Sequence, residues 1–195
     1  MVLPNNMQKN LLPEEINFLS ESQLITIIPR FSMKKIELIG SKIPTLRAMR
    51  REQVPLWVAL ILKSQDKCNI VPPEWLNLIY LKDMYEQEKL NPLQFSSLPY
   101  NWLELSKILL AKASDDVADL SHQLRSVIQD LREIRLIKIK NGLRELNEAN
   151  MELTNLSLME INEIRPFILQ VMGKLGKLYE ASKTIEDEED DYDYE

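Results

Sequence analysis

The chain has 195 residues, of which 45% are hydrophobic and 28% charged, proportions that exclude a fibrous or wholly disordered protein. The net charge of -6 comes from the C-terminus, because residues 186–195 hold eight acids and no base, whereas the preceding residues sum to +2. A near-neutral body excludes a strongly basic nucleic-acid-binding protein. With only four glycines, tight glycine turns are rare, which favours helices over an all-β fold.

Residues 1–53 predict a small mixed α/β domain. Pro13 starts a short helix, because proline suits a first helical turn and the two following glutamates complement the positive end of the helix dipole. The β-branched segment 24–28 predicts a strand, and the alternating segment 35–40 predicts the strand that pairs with it. Residues 41–53 are typical of a loop.

Residues 54–183 predict a bundle-like helical domain. The apolar residues recur at helical spacing, and the first helix, apolar on all sides, is expected to be buried. Asn155 or Ser157 is expected to cap the last helix, and Pro166 to kink it or to lie near a break in it. From residue 184 the acidic tail cannot bury apolar area, so we expect disorder there. The predicted helices span about 55–63, 74–89, 99–113, 121–150 and 158–183.

The two last helices carry candidate interface residues. The long helix has apolar side chains beyond one stripe, which fits either a central helix covered within its own domain or a helix that packs partly on another subunit. We favour a core shared between subunits, because five short helices enclose little volume. The candidate interface residues are Leu136, Ile139, Leu158, Ile161, Ile164 and Phe167.

A basic segment lies between residues 30 and 51, where seven cations face one acid, Glu37. It fits a solvated loop, or a surface that contacts DNA phosphate or an acidic partner, and the residues alone leave both open. Phe31 is the only aromatic residue among these cations, which argues against stacking on single-stranded bases. The candidate contact residues are Arg30, Lys34, Lys35, Arg47, Arg50 and Arg51.

No combination of residues typical of an enzyme is found. The single cysteine, Cys68, and the single histidine, His122, are far apart in sequence, and a packed thiol with a solvated imidazole is the favoured interpretation over a catalytic pair. One Cys and one His do not make a zinc set, and four glycines give no phosphate-binding loop. Neighbouring Asp115 and Asp116 suit capping or a turn. We therefore predict a protein without catalytic residues, cofactor or metal.

Two further expectations concern compartment and packing. A lone cysteine suits a reducing compartment, and neither a signal peptide nor an apolar run of membrane-spanning length is apparent, so we expect a soluble intracellular protein. Gly173 and Gly176 lie in a helical pattern, which predicts close helix packing there.

Four tracts, in this order, resemble the family of second Psf subunits of the eukaryotic GINS complex. The most specific motifs within them are VPLW, PPEWL, ASDD and NLSLMEIN. Neither residues 41–53 nor the acidic tail contributes to the resemblance. The tracts are LITIIPRFSMKKIELIG (24–40), VPLWVALILKSQDKCNIVPPEWL (54–76), LPYNWLELSKILLAKASDD (98–116), and DLREIRLIKIKNGL with LTNLSLMEINEIRPF (130–143 and 153–167).

The resemblance implies a non-catalytic subunit of a nuclear heterotetramer with three other GINS subunits, in which the small β-containing domain comes first. It also implies association with the MCM hexamer, which carries the ATPase motor, and with the Cdc forty-five protein, in the replicative helicase that initiates and elongates DNA replication. Two other classes remain open, a helical adaptor or scaffold of another intracellular complex and a direct DNA-binding module.

Overall fold

The computed structural model describes residues 10–39, 41–144 and 154–190. Helices dominate these residues, and the strands lie in the N-terminal part, so the predicted fold class is confirmed. The first elements are α1 (Pro13–Glu21), β1 (Leu24–Pro29), β2 (Ile36–Leu38), β3 (Ser41–Ile43), β4 (Glu52–Pro55), α2 (Leu56–Ser64) and β5 (Cys68–Ile70). The remaining helices are α3 (Leu78–Leu90), α4 (Trp102–Lys112), α5 (Ser121–Arg144) and α6 (Leu158–Asp190).

Strand β1 is the centre of a three-stranded antiparallel sheet. It pairs with β4 on one side, where Ile25 faces Val54, and with β5 on the other, where Ile27 faces Ile70. Alternate residues of β1 are buried, as expected for a sheet with one face on the core. Helix α2 lies against all three strands, so the sheet and this helix form one layer on another.

Three strand predictions need correction. The strand predicted at 35–40 forms as β2, but it pairs with β3 in a separate hairpin, not with β1. Residues 41–53, predicted as a loop, contain β3 and the start of β4. The hairpin joins neighbouring residues at little loop-closure cost, while both edges of β1 are taken by more distant strands. Strand β5 was missed, because three residues are too few to show alternation.

The strand positions are relevant to where the boundary between the two predicted domains lies. The predicted boundary between residues 53 and 54 passes through β4, and it assigns β5 to the helical part. The two-domain division stays a prediction, and the strand positions favour placing the boundary after Ile70. A single hydrophobic core nevertheless runs from the sheet through α2 into α4 and α5, including Val54, Ala59, Trp102 and Leu131.

The last two helices agree with the predictions only in part. Helix α5 is described to Arg144, so its predicted extension to residue 150 lies outside the described residues. Pro166 lies inside α6 without ending it. Disorder was predicted from residue 184, whereas α6 continues to Asp190, and residues 191–195 lie outside the described part. Extending an existing helix needs no new nucleus, and glutamate is a good helix former, which explains the difference.

The loop between α4 and α5 makes polar contacts with both the sheet and helix α2. Asp116 Oδ2 accepts a hydrogen bond from the Ile70 amide at 2.8 Å and lies 2.9 Å from Lys63 Nζ. Asp115 also approaches Lys63 Nζ, at 2.6 Å, but its side chain is 69% exposed, compared with 8% for Asp116. The acidic pair thus sits in a turn, as predicted, and Asp116 additionally reaches across to β5 and α2.

We expect Asp116→Ala to lower the free energy of unfolding by about 1–3 kcal/mol, because it leaves the Ile70 amide without its acceptor. The matched control, Asp115→Ala, removes an exposed ion pair and should cost less than about 1 kcal/mol. Denaturant unfolding followed by circular dichroism measures both. Equal losses in the two variants would contradict the assigned role of Asp116.

Candidate functional site

The structure gathers most of the predicted interface residues where side chains of the first turns of α6 meet those of α5. Ile139 and Ile164 are buried in a small apolar cluster, against which the half-buried Ile161 packs. Leu136 and Leu158 are also half-buried, while Phe167 remains 48% exposed. Ile139 and Ile164 therefore pack mainly within the chain, and Phe167 presents most of the free surface of the set. A contact between these residues and a partner stays a prediction.

The later turns of α6 expose further apolar side chains. Leu178 is 66% exposed and Tyr179 is 54% exposed. Among the residues that the structure describes, nothing packs closely on Gly173 or Gly176 as predicted, since a Cβ at either position would meet no atom within 4 Å. Phe167 and Leu178 are eleven residues apart, about three helical turns, so they lie on the same side of the helix. We call their exposed surface the α6 face.

The predicted basic residues all lie on the surface, near one end of the sheet. The turn after Leu46 folds back, so that the Met49 amide donates to the Pro29 carbonyl at 2.8 Å. This brings the arginines that flank Met49 close to Arg30. The exposed residues of this group are Arg30, Lys34, Lys35, Arg47, Arg50 and Arg51. Their placement is compatible with both interpretations of the segment, a solvated loop and a contact surface.

A buried charge cluster was missed by the sequence analysis. Arg135, on α5, has no exposed surface, and all of its N–H groups find acceptors. Nε and Nη2 bind the two carboxylate oxygens of Glu160 at 2.6 and 3.0 Å, and Nη1 binds Glu88 at 2.6 Å. The carbonyls of Ser96 and Asn155 accept the remaining bonds, at 3.3 and 2.6 Å. One side chain thus joins α3, α5, the loop after α3 and the start of α6.

Glu88 is held as a carboxylate by its donors. Its side chain has no exposed surface, and burial alone would raise its pKa. Hydrogen bonds from Lys138 and from the amide and hydroxyl of Ser96, with the charge of Arg135, instead lower the pKa below its usual value. Two cations and two carboxylates balance within this cluster, so the interior carries no net charge from it.

Ser157 and Glu160 form a capping box at the start of α6. The Ser157 amide donates to Glu160 Oε2 at 2.7 Å, and the Glu160 amide donates to Ser157 Oγ at 3.4 Å. Ser157, not Asn155, is therefore the cap. Since Glu160 also binds Arg135, the same carboxylate starts the helix and anchors it to α5.

A sequence signal for this cluster exists. On α5 the buried positions are Leu124, Ile128, Leu131, Arg135 and Ile139, at steps of three and four residues. A cation on the core stripe of a helix requires buried carboxylates, because a guanidinium stays charged. That pattern predicts an internal partner for Arg135, although it does not say which acids supply it.

Another buried acid lacks such partners. Glu104, on α4, is 2% exposed, and neither carboxylate oxygen has a hydrogen-bond partner among the described residues. Burial raises the pKa of this carboxyl above its usual value, which favours the protonated acid.

The lone cysteine and histidine occupy unlike environments. Cys68 is fully buried in β5, its thiol donates to the Ala59 carbonyl at 3.6 Å, and burial raises its pKa to about 11. His122 is exposed at the start of α5. Over residues 10–39, 41–144 and 154–190, no group of three or more potential metal ligands occurs, and no helix has the length and apolar character needed to cross a membrane.

Replacing Arg135 with methionine should lower the free energy of unfolding by about 3–5 kcal/mol, because buried Glu160 loses its cation and buried Glu88 keeps only Lys138. Arg132→Met, one turn earlier on α5, is the control. It removes a partly exposed pair with Glu163 and should cost about 1 kcal/mol or less. Denaturant titration of both variants provides the comparison, and a small loss for Arg135→Met would show that the cluster tolerates the missing cation.

Two family models together match nearly the whole chain. One, described as the PSF2 N-terminal domain, matches residues 12–71, and the other, described as the GINS complex protein helical bundle domain, matches residues 75–179. The two matches meet just after β5, where the strand positions also favour a division.

Curated relatives match over their full length. A Candida albicans protein named DNA replication complex GINS protein PSF2 is 66% identical over 195 residues, which are 100% of this chain and 96% of that protein. The Saccharomyces cerevisiae protein of the same name is 43% identical, and the match covers 100% of this chain and 99% of that protein. The Schizosaccharomyces pombe protein is 38% identical, and the match covers 94% of this chain and 99% of that protein. The chain therefore belongs to the PSF2 family of GINS complex proteins.

Proposed function

We propose that this chain is a non-catalytic structural subunit of a GINS heterotetramer and acts in the initiation and elongation of DNA replication in the nucleus. The names of its relatives and their match over 94% or more of the chain support this assignment. The helical adaptor or scaffold of another complex is not favoured, because both the N-terminal part and the helical bundle match GINS proteins.

The proposed direct partners are three other GINS subunits, and the assembled tetramer would join the MCM hexamer and the Cdc forty-five protein. The sequence carries no phosphate-binding glycine loop, which suits a division of labour in which another subunit hydrolyses ATP. Cys68 is buried with a raised pKa, so its thiol is a poor nucleophile. Both features support a structural role.

The observation that carries the proposed assembly role is the α6 face. Phe167 and Leu178 expose large apolar side chains on the same side of α6. Subunits that assemble permanently cover such apolar surface in an extensive interface. We infer that a neighbouring GINS subunit packs on this face, and we propose the half-buried Leu136 and Leu158 as further contacts with a subunit.

The proposal is tested by co-expressing the chain with the other three GINS subunits and measuring the mass of the product. We expect Phe167→Ala to reduce the yield of the heterotetramer, because a phenylalanine buried by a partner contributes about 3–5 kcal/mol. The same change should barely alter the unfolding of the chain itself, since Phe167 is already 48% exposed in it.

Gln170→Ala, an exposed position on the same helix, serves as the control and should leave the yield unchanged. A normal yield with Phe167→Ala would place the interface elsewhere. A wild-type chain that never joins the other three subunits, and stays a stable monomer or homodimer, would overturn the proposed function.

We also propose that the basic segment contacts DNA phosphate or an acidic partner surface once the tetramer has formed. Its cations are exposed near one end of the sheet, and only Lys35 has a carboxylate partner among those that the structure describes, Glu37 at 2.6 Å. Arg47, Arg50 and Arg51 are the densest part of this surface.

Changing these three arginines to glutamate should abolish any binding of duplex DNA by the tetramer that weakens with added salt. Fluorescence anisotropy at two salt concentrations measures the effect. A triple change of Lys82, Lys89 and Lys140 to glutamate, all at exposed positions outside the segment, makes the same change in net charge and is the control. Unchanged DNA binding would leave contact with a protein, or a solvated loop, as the role of the segment.

A further inference from the structure

A groove between α4 and α5 belongs to neither of the surfaces discussed above. It has a volume of about 250 Å³ and an apolar floor of Leu103, Leu110 and Ile128. Ala111 also lines the groove. The cationic lining residues are Lys107, Arg125 and Arg132.

The cations of the groove are incompletely neutralised. Arg132 pairs with Glu163 at 2.7 Å, whereas Arg125 donates to the neutral carbonyl of Leu110 at 2.8 Å. Lys107 has no hydrogen bond or ion pair with any residue that the structure describes, and burial together with the charge of Arg132 lowers its pKa. An added carboxylate would therefore meet two cations without a carboxylate partner.

The volume of the groove limits what it can hold. Small-molecule sites commonly measure about 300–1,000 Å³, and one water occupies about 30 Å³, so this groove is small for a cofactor and large for a single solvent molecule. A single large apolar side chain suits it better. Such anchors, seated in a pocket and surrounded by polar contacts, dominate many protein–protein interfaces.

We propose that this groove docks an acidic segment of a partner protein that presents one aromatic or large aliphatic side chain between carboxylates. The apolar floor would take the anchor, and Lys107 and Arg125 would take the carboxylates. This inference rests on the proposed function, because it describes a partner of the assembled heterotetramer.

Charge and polarity separate this partner from the alternatives. A permanent subunit contact is more apolar than a groove lined by three cations, so the α6 face suits that role better. Duplex DNA would satisfy the cations, but phosphate and sugar would leave the apolar floor unfilled. An acidic segment with an apolar anchor satisfies both parts of the groove.

The test uses the purified heterotetramer and a fluorescent probe peptide of about eleven residues, with a central Phe flanked by Asp and Glu. A second peptide has Ala in place of Phe, and a third has Asn and Gln in place of the acids. We expect anisotropy to detect binding of the first peptide, at least tenfold weaker binding of the other two, and weakening by salt.

Two variants in the groove test the site. Lys107→Glu reverses the charge of the unpaired cation, and Ala111→Phe fills the groove from an exposed position without changing charge. Each should weaken binding of the first peptide at least tenfold while the heterotetramer still assembles. Lys82→Glu, which matches the charge change outside the groove, should bind the peptide like the wild type.

The outcomes are distinguishable. Failure of the wild-type chain to assemble refutes the proposed function, whatever the peptides do. With a normal tetramer, absence of binding below 1 mM, equal binding of the Ala peptide, or equal binding by Ala111→Phe overturns the groove proposal. Binding of duplex DNA that depends on Lys107, with no binding of the peptide, would assign the groove to nucleic acid instead.

Discussion

Arg135 fixes the arrangement of the helical part, because its guanidinium has to be neutralised where no water reaches it. Glu88 supplies one carboxylate from α3 and Glu160 supplies another from α6. Since the guanidinium is planar, with its donors in a fixed fork, these carboxylates have few positions from which to bind it. Two helices that are distant in sequence are thereby held in one geometry against α5.

We infer that this cluster contributes specificity more than stability. Burying ions costs several kcal/mol each, and a well-packed apolar replacement is often as stable as the ion pair. Apolar contacts, such as that between Ile139 and Ile164, tolerate small shifts between helices. The hydrogen-bonded ion pair of Arg135 with Glu160 does not tolerate such shifts. Because Glu160 also closes the capping box, the position at which α6 begins and the direction it takes are set together. The placement of the exposed α6 face follows from that start.

The regular elements could be predicted from local sequence, and their partners could not. Hydrophobic spacing predicted α5, and β-branched residues predicted β1, since both signals depend on nearby residues. The pairing of β1 with β5 was missed, because a strand of three residues leaves no periodic trace. Arg135 occupied a core position of the stripe, but the acids that neutralise it lie 47 and 25 residues away. Of the candidate interface residues, Phe167 is the one that the fold leaves about half exposed, and this depends on how α6 packs on α5.

The two surfaces proposed for partners differ in ways that suit different kinds of contact. The α6 face presents large apolar side chains, and covering it removes apolar area from water. Such a contact forms once and is retained. The groove between α4 and α5 joins a small apolar floor to cations at the protein surface, where ion pairs contribute little net stability. A contact of that kind is weak, salt-dependent and reversible, as suits a partner that joins and leaves an assembled complex.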